Sequence, residues 1–301
     1  MPETFNPRSG GLGFDDDPAR RLIAEGAAQL AAADVENPRL DAEAMLAAAS
    51  HTSRTAVISG LANINYLVRL RYAGMIARRR RREPLAYILG RKEFYSLNFE
   101  VTPAVLIPRP ETETAVTLAL ELLRDRDACV CDLGTGSGAI GLAIGAHAPR
   151  ARVTATDISA EALALARRNA AGLKLESRVH FRLADCFEPL DGNAPLGRFD
   201  LIVSNPPYVC DNEIAGLTPE ISRYEPRIAL AGGRDGLELY RRIGLELPAN
   251  LERNGRVIVE IGAGQAAAVT EIMRNAGATT IRVISDLAGL PRVVLALFHV
   301  K

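Results

Sequence analysis

The spacing of apolar residues divides the chain into two regions with different predicted secondary structure. In the first 90 residues the apolar positions recur at helical spacing, and no strand pattern occurs. We predict helices over residues 18–33, 38–49 and 65–82, after a polar tail over residues 1–17 that has no periodicity. The first region is therefore expected to be a small helical domain.

After Gly90 short apolar stretches alternate with helical ones. Residues 94–107 alternate around Pro103, which favours a short hairpin over a central strand. Helices are predicted over residues 111–124, 139–147, 159–171 and 265–275. Strands are predicted over residues 128–132, 153–157, 179–185, 199–204, 257–261, 280–284 and 293–298. This alternation indicates a doubly wound, mostly parallel α/β sheet, and the short link between the last two strands suits an antiparallel hairpin.

Composition excludes several classes of protein. The 301 residues are 48% hydrophobic and 24% charged, which argues against disorder, and no apolar run approaches the roughly 20 residues of a membrane helix. The first 17 residues are polar and acidic, unlike a signal peptide, and four cysteines do not make a disulfide scaffold, so we expect a cytoplasmic protein. Because the cysteines and histidines lack zinc-ligand spacing, no metal is expected.

The net charge of zero conceals an uneven distribution. Residues 51–92 carry ten basic residues and one acidic residue, whereas the first 50 residues carry nine acidic and four basic ones. A neutral total argues against general nucleic-acid binding, which needs many phosphate contacts. The run from Arg78 to Arg82 is either a solvated helix end, where cations favour the dipole, or a docking surface for a protein substrate.

A glycine-rich turn follows the first predicted strand of the sheet. Asp132 ends that strand, and the loop contains Gly134, Thr135, Gly136, Ser137 and Gly138. Glycines let a ligand approach the main chain, and Asp157, at the end of the next strand, can accept hydrogen bonds from both ribose hydroxyls. The loop also satisfies the dinucleotide fingerprint, which leaves an NAD-binding module open. Asp132 favours S-adenosylmethionine, because its carboxylate can face the ammonium of a methionine moiety.

A second motif, Asn205, Pro206, Pro207 and Tyr208, follows the fourth strand, at the edge where open α/β sheets bind ligands. The side-chain carbonyl of Asn205 and the main-chain carbonyl of Pro206 can each accept one N–H of a planar amino group. This holds the nitrogen so that it can face a sulfonium methyl group, while Tyr208 can stack on a flat substrate. The two motifs together indicate a methyltransferase that acts on an amino group.

With four further stretches, these motifs resemble the peptide-chain-release-factor N5-glutamine methyltransferases, the HemK family. The stretches are residues 83–90, 107–113, 225–236 and 259–262. The resemblance implies an α/β fold with a Rossmann-like, seven-stranded methyltransferase sheet over residues 111–301. It also implies a helical substrate-docking domain over residues 1–90 and a hairpin linker over residues 91–110.

The implied reaction is methyl transfer from S-adenosylmethionine, leaving S-adenosylhomocysteine, to the glutamine amide in the Gly-Gly-Gln motif of release factors. The implied cofactor site contains residues 134–138, Asp157, Asp185, Cys186 and Asn205. The implied substrate site is residues 205–208, with Asn205, Pro206 and Tyr208 as catalytic residues. Cys186 stands where many relatives carry an aromatic residue, so stacking on adenine would need Phe187.

Two other targets remain open, a glutamine of a ribosomal protein and the N6 of adenine or N2 of guanine in a nucleic acid. The second would require a basic groove to grip phosphates and a base extruded from its stack. The neutral charge counts against it, so we expect release factors as partners, with no stable nucleic-acid or membrane binding.

Overall fold

Residues 17–190, 192 and 194–299 are described by the structure, which is a computed structural model. The chain divides into two units after Leu89. Except for Asp17, the tail predicted over residues 1–17 lies outside the described residues. The hairpin that we expected as a linker belongs by its contacts to the second unit.

Within the described residues, the first unit contains five helices. They are α1 (Pro18–Ala31), α2 (Pro38–Ala49), α3 (Arg54–Ile58), α4 (Tyr66–Arg80) and α5 (Leu85–Leu89). A proline begins α1 and α2, and the Asp17 side chain caps α1 by accepting a hydrogen bond from the Ala19 N–H. The three predicted helices are confirmed to within two residues at each end, whereas the one-turn helices α3 and α5 were not predicted.

Part of the arginine run at the end of α4 stabilises this helical unit. Arg79 is buried and its Nε lies 2.7 Å from Asp41 Oδ2. Arg78 binds Glu83 through two hydrogen bonds. Since these two guanidinium groups are engaged within the unit, the run is not simply a solvated helix end. Its use as a docking surface stays a prediction.

The second unit is built on a twisted sheet preceded by a hairpin. The hairpin strands are β1 (Arg91–Phe94) and β2 (Leu97–Glu100). The sheet strands are β3 (Ala128–Leu133), β4 (Ala151–Asp157), β5 (Val179–Asp185), β6 (Glu188–Pro189), β7 (Phe199–Ser204), β8 (Leu251–Glu260), β9 (Thr280–Ser285) and β10 (Pro291–Leu297). Their order is β6-β5-β4-β3-β7-β8-β10-β9. The seven predicted strands are confirmed, and the two-residue β6 adds an eighth.

Strand directions also match the prediction. The strands β5, β4, β3, β7 and β8 are parallel, whereas β10 pairs antiparallel with both β8 and β9. The carboxyl ends of the parallel strands therefore lie at one edge of the sheet, the edge at which both sequence motifs follow their strands.

Helices cover both faces of the sheet. They are α6 (Glu113–Leu123), α7 (Ala139–His147), α8 (Ala160–Leu173), α10 (Glu238–Asn250) and α11 (Ala266–Asn275). A short helix, α9 (Pro219–Tyr224), has no buried residue and lies in the segment between β7 and α10. Successive residues of a strand face opposite sides, so Val130 packs in the core with α6, α7 and α8, while Cys131 packs with α10 and α11. The helices α9 and α10 were not predicted.

The hairpin lies earlier in the sequence than predicted. Its two-residue turn is Tyr95–Ser96, and both residues have positive φ, 50° and 60°. The Glu113 side chain accepts a hydrogen bond from the Tyr95 N–H, which stabilises this conformation without glycine. The predicted second half, around Pro103, is not a strand, because it runs as loop into the cleft at the carboxyl edge of the sheet.

Candidate active site

A cleft of about 300 Å³ opens at the carboxyl edge of the sheet. Among the predicted site residues, it is lined by Gly134, Thr135, Gly136, Ser137, Asp157, Asp185, Cys186, Asn205 and Pro207. The predicted residues Gly138, Pro206 and Tyr208 do not line it. The sequence motifs on β3, β4, β5 and β7 therefore meet in one cavity, within the second unit.

The glycine loop leaves β3 and enters α7 through three left-handed residues. The φ angles of Gly134, Gly136 and Gly138 are 73°, 55° and 86°, a region that side chains disfavour. A Cβ atom on Gly134 or Gly136 would meet no atom within 4 Å, whereas one on Gly138 would lie 2.7 Å from a methyl group of Leu142. The first two glycines thus leave room on the cleft side, and the third is needed for packing.

The buried side chain of Asp132 stabilises this loop through hydrogen bonds. It is fully buried, and its Oδ2 accepts hydrogen bonds from the Thr135 hydroxyl at 2.5 Å and the Gly141 N–H at 2.8 Å. Its Oδ1 has no partner among the described residues, and burial raises the pKa of the carboxyl to about 6. Asp132 does not line the cleft, so the carboxylate that we expected to face an ammonium lies beneath the loop instead.

Asp157 lies across the loop from the end of β4. One carboxylate oxygen accepts the Gly136 N–H at 2.8 Å and the other accepts the Ser159 N–H at 2.9 Å. Burial raises the pKa of this carboxyl above its ordinary value. The Ile158 N–H also hydrogen-bonds to this carboxylate. A carboxylate has about four acceptor positions, so the group can still accept a hydrogen bond from a ligand in the cleft.

The end of β5 contributes a charged and an apolar group. The Asp185 carboxylate lies 2.9 Å from Arg242 Nη2, and both residues line the cleft. Cys186 has a φ of 52°, and burial raises the pKa of its thiol to about 12, which keeps it protonated. Phe187 is buried in the core beside β7 and β8 and does not line the cleft. Ile158, which we did not predict, lines it and is 44% exposed.

Asn205 follows β7 directly beside the glycine loop. Leu133 and Ser204 are partners in the parallel ladder, so the residues that follow them leave neighbouring strands side by side. Asn205 Nδ2 donates to Thr112 Oγ1 at 3.2 Å, and the Thr112 hydroxyl donates to Glu260 Oε2 at 2.6 Å. Burial raises the pKa of Glu260 to about 7. Neither Thr112 nor Glu260 was assigned a role from the sequence, although both lie in stretches that carry the family resemblance.

The backbone of Tyr208 is fixed by a hydrogen bond from a side chain. Its carbonyl accepts a hydrogen bond from Gln265 Nε2 at 2.9 Å, and Gln265 Nε2 also donates to the Gly236 carbonyl at 3.2 Å. The ring packs against the apolar core on the α10 and α11 side, and burial raises the pKa of the hydroxyl to about 12. Tyr208 is partly buried, and Pro206 is buried. Stacking of Tyr208 on a substrate stays a prediction.

An ion pair joins two stretches that are 116 residues apart. Arg109 Nη2 lies 2.6 and 2.8 Å from the two oxygens of Glu225, whose side chain is 1% exposed. Arg109 lines the cleft, and so do four residues of the segment that follows Glu225, namely Ile228, Ala229, Ala231 and Gly232. The pair therefore fixes one wall of the cleft to the segment that precedes the sheet. It was missed because no local pattern links residues so distant in the chain.

Neither a metal-binding cluster nor a membrane-spanning helix occurs among the described residues. No cluster of three or more His, Cys, Asp or Glu side chains among residues 17–190 and 194–299 is arranged to hold a metal ion. No helix in the same ranges combines the length and the apolar character needed to cross a membrane.

Comparison with known proteins gives two family matches and many relatives. Residues 21–90 match the family described as "PrmC N-terminal domain", and residues 108–221 match "Methyltransferase small domain". The release factor glutamine methyltransferase of Caulobacter vibrioides is 39% identical over 87% of this chain and 90% of its own. The protein of the same name from Geobacter sulfurreducens is 41% identical over 91% of this chain and 95% of its own.

The fold also has solved counterparts. A methyltransferase from Pyrococcus furiosus superimposes with a TM-score of 0.52 at 20% identity, covering 69% of this chain and 92% of that one. At this identity the likeness concerns the fold alone.

Proposed function

This chain belongs to the release factor glutamine methyltransferase family, and we propose how its cleft works. The cleft transfers a methyl group from S-adenosylmethionine to the side-chain amide nitrogen of the glutamine in the Gly-Gly-Gln motif of release factors. The observation that carries this proposal is the side-by-side exit of the glycine loop and Asn205 from two neighbouring parallel strands into one cavity.

The residues of the cleft fit S-adenosylmethionine. The open space in front of Gly134 and Gly136 is where a ligand can lie against the main chain. Asp157 would hold the ribose through the acceptor capacity that its backbone partners leave. Ile158 offers apolar surface beside it for the adenine, which supports an adenine subsite without the aromatic residue that Cys186 replaces. The buried charge of Asp132 beneath the loop complements the cationic methionine moiety.

Positioning of the substrate amide would be the main contribution of Asn205. An amide nitrogen is a poor nucleophile because its lone pair is delocalised, so its orientation limits the rate. The Nδ2 of Asn205 is already engaged with Thr112, which leaves Oδ1 to accept an N–H of the substrate. The Pro206 carbonyl would accept the other N–H. When bound, S-adenosylmethionine supplies an electrophilic sulfonium methyl group.

The substrate test is mass spectrometry of a bacterial-type release factor treated with the protein and S-adenosylmethionine. We expect one added methyl group on the glutamine of the Gly-Gly-Gln motif and none on a Gln→Ala substrate. Equal labelling of the Gln→Ala substrate contradicts the proposal. Methylation of a ribosomal protein or of a nucleic acid, but not of the release factor, would favour one of the two alternative targets.

The residue test is Asn205→Ala, with Asn98→Ala on the exposed face of the hairpin as the matched control. We expect Asn205→Ala to lose about 100-fold in turnover, the scale for removing one preorganised hydrogen-bonding group, with little change in cofactor affinity. Unaltered turnover would refute the role of Asn205. Three expectations accompany the proposal: no metal requirement, no stable nucleic-acid complex and a cytoplasmic location.

A further inference from the structure

A chain of three side chains lies behind the substrate side of the cleft. We infer that Thr112 and Glu260 are positioning residues that fix the orientation of the Asn205 amide, so that its oxygen, not its nitrogen, faces the substrate. The inference rests on the proposed function for its consequence in catalysis, whereas the hydrogen bonds on which it is built are independent of any substrate.

The three residues come from separate elements that rigid structure holds together. Thr112 ends a short 3-10 helix (Pro110–Thr112), Glu260 is the last residue of β8, and Asn205 directly follows β7. Thr112 is 4% exposed and Glu260 is 1% exposed, so water does not compete for their hydrogen bonds. The Tyr240 hydroxyl donates to the Glu260 carbonyl at 2.7 Å, which fixes the backbone at the end of β8.

The direction of the chain follows from the number of protons. The Thr112 hydroxyl has one proton, and a carboxylate only accepts hydrogen bonds, so this proton is given to Glu260. Thr112 Oγ1 is then an acceptor toward Asn205, which can satisfy it only with Nδ2. Asn205 Oδ1 is thereby left facing the cleft as an acceptor, the role that a substrate NH2 group requires.

Protonation of Glu260 would reverse this direction. A neutral carboxyl can donate to Thr112 Oγ1, and the Thr112 proton is then available to Asn205 Oδ1 after an amide flip. The Asn205 nitrogen would face the cleft, where it repels a substrate N–H. The reversal predicts that activity falls on the acid side.

The groups around Glu260 act in opposing directions on its charge. Burial, which is the largest influence, and the charge of Glu111 favour the neutral form, whereas the Thr112 hydrogen bond, Arg292 and Arg109 favour the carboxylate. The result is a pKa of about 7. The hydroxyls of Tyr208 and Tyr240, the other titratable neighbours, have pKa values raised by burial and stay neutral in this range.

The first experiment compares Thr112→Val with Thr112→Ser and with Thr279→Val, a control at an exposed threonine. Valine keeps the shape of threonine and removes both hydrogen bonds, while serine keeps them. At saturating cofactor we expect Thr112→Val to lose about 100-fold in kcat/KM for the protein substrate, the scale of a small misplacement of the reacting group, with cofactor affinity retained. Thr112→Ser should be close to the wild type.

The second experiment measures pH profiles of the wild type and Glu260→Gln. Saturating cofactor removes the contribution of Asp132 and Asp157, which act on cofactor binding. We expect kcat/KM of the wild type to fall on the acid side with a midpoint near pH 7 and this limb to be absent in Glu260→Gln. In spectra of the protein alone, the Asn205 side-chain amide resonances should shift with the same midpoint in the wild type and stay constant in the variant.

These outcomes decide the inference in both directions. It is overturned if Thr112→Val matches the wild type, if Thr112→Ser is as impaired as Thr112→Val, or if the acid limb persists in Glu260→Gln. The amide resonances need no substrate, so they decide the inference even if the release factor is not methylated. Absence of that reaction in the wild type would contradict the proposed function instead.

Discussion

The Gln265 side chain makes three hydrogen bonds near the substrate motif, and replacing it with glutamate gives a sharp test of the geometry. Its Nε2 donates to the carbonyls of Tyr208 and Gly236, and its Oε1 accepts the Gly262 N–H at 2.9 Å. Gln265→Glu keeps the shape and the Gly262 contact. It replaces the donor with a carboxylate oxygen that faces two carbonyl oxygens.

The expected cost follows from the hydrogen bonds lost. Each of the two lost hydrogen bonds is worth about 1 kcal/mol net, and repulsion between the carboxylate and the two carbonyls adds about 1 kcal/mol more. We therefore expect Gln265→Glu to lose about 3 kcal/mol of unfolding free energy at pH 8. The same repulsion raises the pKa of the introduced carboxyl in the folded state. Stability linked to such a group is present at low pH and is lost as the pH rises through the folded pKa. Most of the loss should therefore be recovered at pH 5, where the protonated carboxyl again donates a hydrogen bond.

Urea unfolding of the wild type, Gln265→Glu and Gln265→Met at pH 5 and pH 8 measures this. The methionine variant removes the same hydrogen bonds without a titratable group, so its deficit relative to the wild type should not change with pH. Turnover of Gln265→Glu at pH 8 should fall with its stability, since the Tyr208 carbonyl loses its donor. A glutamate variant as stable as the wild type at pH 8, or a deficit that is equal at both pH values, refutes the reasoning.

Three further predictions use single contacts. Gly136→Ala should lower the unfolding free energy by about 1 kcal/mol through backbone strain and weaken cofactor binding, measured by calorimetry, about tenfold or more. The control Gly277→Ala, also at positive φ with open space around it, should leave cofactor affinity unchanged. Arg109→Ala should lower the unfolding free energy, measured with urea, by about 3 kcal/mol, because it leaves the buried Glu225 carboxylate without its partner. The control Arg150→Ala, which breaks the exposed pair with Asp127, should leave the urea midpoint unchanged. Relative to the wild type, the unfolding free energy of Glu260→Gln should rise by about 3 kcal/mol between pH 4 and pH 8, because the raised pKa of Glu260 removes wild-type stability as the pH rises. A stability difference between the two proteins that does not change with pH would contradict the raised pKa of Glu260.

The sheet could be predicted because each strand is a short apolar stretch bounded by polar or glycine residues. The strands β5 and β7 begin and end where the pattern predicts, and the antiparallel β9–β10 hairpin is confirmed. The helix α10 was missed, although Tyr240, Ile243 and Leu247 form a helical stripe. Its internal Pro248 and the long irregular segment before it obscured that stripe.

The site was predictable where one motif lies on one turn and not where distant segments meet. The glycine loop and Asp157 are local features, and they do line one cleft. Thr112, Gln265 and the Arg109–Glu225 pair act through contacts that span up to 148 residues, for which a single sequence has no periodic signal. The left-handed turn at Tyr95–Ser96 was missed because its stability comes from Glu113, not from its own residues.

The cofactor side and the substrate side of the cleft are built from segments at different separations in the chain. This difference sets the order in which the two sides are expected to form. The strand pairs and hydrogen bonds that join the glycine loop to β4 and Asp157 span 23 residues or fewer, whereas Asn205 and Glu260 reach Thr112 over 93 and 148 residues. Loop closure over long separations is the slower step, and the chain emerges from the ribosome from its N-terminus. A nascent chain that ends before β8 thus contains every residue of the glycine loop but lacks Glu260. On the ribosome, the means to bind cofactor is expected to arise before the means to orient a substrate.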